Sequence, residues 1–161
     1  MSENPLQENP AQQLKITRIT WITLFTGVLV FSAVAIVVNK INGPFIVQPG
    51  FEKILLGFAV LLGIVCFSLA PVLFRNSLKK NLTGKITLTD KLTSYWTALV
   101  LYLALCEGPA LLSVIGFLLT GNYYFGIIVA AGLLGFSVKF PDKKNVSEAL
   151  QLDVVSRMQI E

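Results

Sequence analysis

Four stretches of this chain run almost without a charged residue, and each is long enough to be read as one membrane-crossing helix. They cover residues 19–38, 53–74, 93–119 and 123–140. About 20 apolar residues at 1.5 Å each match the roughly 30 Å hydrocarbon core of a bilayer. The segments between them carry the breakers. Asn42-Gly43-Pro44 and Pro49-Gly50 interrupt the first connection, Thr120-Gly121-Asn122 reads as a tight turn, and Pro141 stops the fourth run.

This pattern predicts an all-α integral membrane protein with four transmembrane helices in an up-down-up-down bundle. Residues 1–18, with Pro5, Pro10, Glu3 and Glu8, read as a flexible N-terminal tail. Residues 19–140 form the transmembrane domain, and residues 141–161 a C-terminal tail with a short amphipathic helix. Asn145 stands as its N-cap, with Glu148 three residues on. Val146, Ala149, Leu150, Val154 and Met158 then share one face. Such a helix either lies on the headgroups or folds against the bundle, or else docks a cytoplasmic partner.

Composition agrees with the pattern. Hydrophobic residues make up 54% of the chain and charged residues 14%, against about 25% charged in soluble domains. The charges gather in the tails and loops, as they must where each one at mid-membrane costs at least ~2.5 kcal/mol. The net charge of +4 is carried by bases flanking the apolar runs. That placement suits orientation and contact with the lipid bilayer, and no basic stripe interleaved with aromatics points to nucleic acid.

Of the thirteen Lys and Arg, only Lys40 and Lys53 fall on one side of the four runs. The positive-inside rule therefore predicts both termini in the cytoplasm, and the location expected is a cell inner (plasma) membrane. The triplets Asn81-Leu82-Thr83 and Asn145-Val146-Ser147 lie on that cytoplasmic side and read as chance glycosylation matches. An acidic start and a long first run argue for a retained span rather than a secretory leader.

Histidine is absent, and Cys66 and Cys106 both fall inside apolar runs without a CxxC spacing. No metal and no cofactor is expected from that set. Small residues recur four apart at Ala59 and Gly63, Gly126 and Ala130, and Ala131 and Gly135. Such pairs let helix backbones approach, within one bundle or between copies.

One residue asks for chemistry. Glu107 sits near the middle of the third run, with no Lys, Arg or His in any run to pair with it. An intramembrane carboxyl is protonated and hydrogen-bonded, faces a water-filled cavity, or meets a base on another chain. Pro109, two residues on, cannot donate to the carbonyl of Leu105, so the helix is expected to kink there, eased by Gly108. Thr26 and Ser68 lie at comparable depths on other runs and are the candidate polar neighbours; Ser113 shares the helix. Asp90 reads as a cap at the entry to the third helix.

The stretch Glu107-Gly108-Pro109-Ala110-Leu111-Leu112, with Val114-Ile115-Gly116 after it, distantly resembles the segment following the ion-carrying acid of the proteolipid rotor subunits of rotary ATPases. The resemblance implies an ion site at Glu107. It has two departures. In that family the acid sits on the second helix of a hairpin, and the first helix is dense in glycine. Here the acid is on the first helix of the second pair, and residues 19–38 hold only Gly27.

Two functions follow from these residues. One is a non-catalytic accessory or assembly subunit of a membrane complex, or a homo-oligomer, in which Glu107 makes a buried polar contact. The other is a small proton- or cation-coupled transporter, channel or translocating subunit that uses Glu107. An enzyme is not expected, because no second carboxylate, histidine or activated nucleophile accompanies it.

Overall fold

A computed structural model describes residues 10–46, 48, 50–82 and 88–150, and the described part is helical with no strand. The helices are α1 (Pro10–Asn42), α2 (Phe51–Leu82), α3 (Leu88–Thr120), α4 (Phe125–Val138) and α5 (Lys143–Ala149). Three of them, α1 to α3, are long and apolar enough to cross a membrane, and α4 is a shorter apolar helix. Together they pack as a bundle.

The direction of each helix is set by cross-helix contacts. Gln13 donates to Thr93, and Asn39 donates to the carbonyls of Phe117 and Leu118, so α1 and α3 run parallel. Ile128 lies against Gly63 and Gly132 against Phe67, so α2 and α4 run parallel, while Phe125 against Gly116 and Gly135 against Cys106 oppose α4 to α3. The helix α3 is the centre of the fold. It packs against α1, α2 and α4, whereas α1 and α2 scarcely meet.

The buried face of α1 is Leu14, Trp21, Val28 and Ala35, a strict seven-residue rhythm that keeps one seam against its neighbours. That rhythm starts before the first apolar run. Residues 10–18 are therefore helical rather than part of a flexible tail, with Pro10 at the first helical position, where its missing N–H costs nothing. Residues 1–9 lie outside the described part.

The second helix likewise outruns its apolar stretch. Phe74 and Leu78 continue its buried face past Arg75, so the basic connection is helical up to Leu82. Asp90 is not a cap, because α3 already begins at Leu88; it lies in the first turn, where a carboxylate favours the helix dipole.

The fourth apolar run is helical only over Phe125–Val138, 14 residues, or about 21 Å. Tyr123 and Tyr124 belong instead to the turn after α3. There the Asn122 side-chain oxygen accepts from the N–H of Tyr124, and Gly121 adopts φ +68°. The end of α3 is closed by its surroundings: Gly121 N–H donates to Phe117, Ile46 N–H to Leu119, and Asn39 to Phe117 and Leu118.

Helix α5 folds against the bundle, with Val146 and Leu150 buried in the same core as Leu14, Leu78, Leu92 and Tyr95. Asn145 is inside this helix and not its N-cap, since Val146 N–H already donates to the carbonyl of Asp142. The Asn145 amide instead donates to the Phe140 carbonyl, which ties α5 to the end of α4. Val154 and Met158 lie outside the described residues.

Candidate functional site

Glu107 is placed by the two-faced character of α3. Ala98, Leu99, Leu103, Cys106, Ala110 and Val114 form the buried face. Thr97, Leu101, Ala104, Gly108 and Ile115 form an exposed strip on the other side. Glu107 stands on the border between them, half-buried, with Cys106 turned inward and Gly108 outward. Its carboxyl has no hydrogen-bond or ion-pair partner among the described residues. Burial raises the free energy of an ionised carboxylate, and nothing in this chain offsets it.

The expected kink does not interrupt the helix, for α3 is continuous from Leu88 to Thr120 with Pro109 inside it. Pro109 is fully buried, and its own carbonyl accepts from the Ser113 hydroxyl at 2.8 Å. The missing N–H of Pro109 leaves the Leu105 carbonyl without its helical donor, one turn from Glu107. Gly108 faces open space: a Cβ added there would meet nothing within 4 Å.

Thr26 and Ser68 are not brought to Glu107. Both side chains lie on exposed faces, of α1 and α2 respectively. Three buried hydroxyls are closed onto their own helices, Thr17 onto the Gln13 carbonyl, Ser94 onto Asp90 and Ser113 onto Pro109. The site is thus one carboxyl beside an open glycine, not a polar cluster. Chemically it can exchange a single proton or accept hydrogen bonds from a donor on a neighbouring chain. Among the described residues, no group of three His, Cys, Asp or Glu is placed to hold a metal.

Two features at the ends of the bundle escaped the sequence pattern. At one end α1 and α4 are clamped together. The Trp21 indole donates to the Phe136 carbonyl at 3.0 Å, stacks on Phe25 and meets Phe140 edge-on. Arg18 donates to the Pro141 carbonyl and pairs with Asp142. Tyr102 donates to the Gly135 carbonyl, and Lys139 lies over the Phe74 ring. The acceptor of Trp21 lies 115 residues away in the chain, so no local pattern points to this contact.

At the other end α1 and α4 part. A cavity of about 500 Å³ opens between them, over a floor of Val114 and Phe117. Its cause is the small side chains on this face of α4, Gly126 and Ala130, which leave the space facing Ile36 unfilled. No family profile matches this chain, and neither a curated protein nor a solved structure shows significant similarity to it.

Proposed function

We propose that this chain is an integral membrane protein with both ends on the cytoplasmic side of a cell inner membrane, and that it acts as a non-catalytic assembly subunit. The intervals Arg18 to Lys40 and Lys53 to Arg75 are free of charge and each rises roughly 33 Å, close to the hydrocarbon thickness. Helix α4 adds a shorter element whose ends, Tyr124 and Lys139, suit the two interfaces.

One observation carries the assembly reading: the unpartnered Glu107 carboxyl on the rim of an exposed α3 strip. Ala104 and Gly108 are small residues four apart on that strip, and α1 and α2 leave it uncovered. Small residues allow a further helix to approach closely, and a polar residue beside them gains a hydrogen bond from it. The occupant this fits is a transmembrane helix that presents a base or a hydrogen-bond donor at the depth of Glu107.

The experiment is affinity purification of the full chain in mild detergent, with the particle mass read for wild type, Glu107→Gln and Gly108→Leu. The expected result is a particle of defined composition that keeps its partner chains with Gln, whose amide accepts the same hydrogen bond, and loses them with Leu. A particle containing this chain alone, unchanged by Gly108→Leu, would sink the assembly reading. The transporter reading rests on the same carboxyl beside the freed Leu105 carbonyl. It requires proton or cation flux in liposomes that disappears with Glu107→Gln.

A further inference from the structure

The cleft between α1 and α4 has the form of a site for one lipid molecule. The two helices are held together at the end marked by Trp21, Phe136 and Arg18. From there they diverge, and Ser32, Ile36 and Lys40 of α1 face Gly126, Ala130 and Leu133 of α4 across the gap. The walls are apolar at the depth where, on the membrane reading above, acyl chains lie. Ser32 has its hydroxyl proton committed to the Val28 carbonyl at 2.7 Å.

Only the rim is charged. Lys40 stands at the open end, where Tyr123 also lines the cleft, and among the described residues no carboxylate lies within ion-pair distance of it. Lys40 and Trp21 are about 29 Å apart along α1, so the ammonium is level with one headgroup layer when Trp21 is level with the other. A cation above a mostly apolar cleft matches an anionic headgroup with its hydrocarbon chain below.

The cleft offers about 500 Å³, room for a flexible hydrocarbon chain along its apolar walls.

We infer that this cleft binds a single anionic phospholipid, one acyl chain packed along Gly126, Ala130 and Leu133 and its phosphate held by Lys40. The site rests on the membrane reading but not on the role given to Glu107, which is not among the residues that line it.

Native mass spectrometry of the detergent-solubilised full chain tests it, with phosphatidylglycerol, phosphatidylcholine and inorganic phosphate added in turn. The expected result is one retained phosphatidylglycerol per chain, with phosphatidylcholine held about tenfold less tightly and phosphate not held. Lys40→Glu should abolish the preference between the two lipids. Ala130→Leu, which fills the cleft, should release both, while Gly108→Leu on the opposite side of α3 should release neither.

Equal retention of both lipids by wild type, or phosphatidylglycerol retention unchanged by Lys40→Glu and Ala130→Leu, would overturn the inference. So would phosphate binding as tightly as the lipid, which would make Lys40 a free-anion site. Alkaline extraction of membranes separates the two failures. A chain that stays in the membrane yet holds no lipid defeats the lipid site alone, and a chain that is extracted defeats the membrane reading as well.

Discussion

A methyl group added at Gly116 would lie 2.5 Å from the ring of Phe125, which is itself fully buried. At Gly108 the same methyl would meet nothing. Gly116→Ala should therefore cost about 1–3 kcal/mol of bundle stability through overpacking, and Gly108→Ala no more than about 0.5 kcal/mol. Thermal midpoints of the two variants in one detergent would check this, and equal midpoints would contradict the packing. Trp21 supplies a second contrast. Trp21→Ala empties an aromatic cluster and should cost about 3 kcal/mol. Trp21→Phe should cost only about 1 kcal/mol, since the Phe136 carbonyl keeps the N–H of Lys139. At this scale the chain was half legible. Glu107 stood out because a lone acid in an apolar run violates a strong rule. The tight α3–α4 contacts use Gly132, Gly135 and Gly116 against Ala110, Cys106 and Phe125, while Gly126 and Ala130 line the open cleft. Four-residue spacing cannot tell these faces apart, because which side of α4 meets α3 depends on the turn at Gly121.

Among the elements, α1 and α2 reach past their apolar runs, because an apolar run ends at its first charges while a helix does not. Lys and Arg are good helix formers, and the buried face simply continues through Leu14 and Leu78. The fourth run erred in the other direction, since Tyr123 and Tyr124 are apolar enough to join it but are held in a turn by Asn122. Helix α5 is too short to stand alone and depends on Val146 and Leu150, both almost wholly buried. Val146→Asp should undock it while leaving α1 to α4 in place. Trypsin cleavage at Lys143 and Lys144 would then become rapid, with the remaining fragment intact by mass. Slow cleavage in the variant would mean that α5 is held by something other than its apolar face. The Arg18–Asp142 pair should matter far less, because Asp142 is exposed and Arg18 is only partly buried.

For the molecule as a whole, the alternating direction of the four helices suits short connections, and on the proposed topology the charge asymmetry orients them. If both ends lie inside as proposed, a cysteine placed at Phe45 should react with a membrane-impermeant maleimide added to intact cells, and one placed at Asp142 only after the membrane is opened. The reverse result would invert the topology without altering the fold. The resting place of Glu107, on an outer rim rather than facing Thr26 and Ser68, was not legible, since depth along a helix says nothing of azimuth. On the membrane reading proposed above, the centrality of α3 carries a consequence for biogenesis. Helices α1 and α2 leave the ribosome first, yet each finds its main partner only in α3. Until that third segment enters the bilayer, the nascent hairpin is two solitary rods with no seam to close. A chain terminated after α2 should be inserted and then promptly degraded, whereas one that extends through α3 has a surface on which the earlier segments can settle. The decisive moment of assembly thus comes late in synthesis, and any delay in delivering α3 lengthens the interval in which quality-control proteases can act.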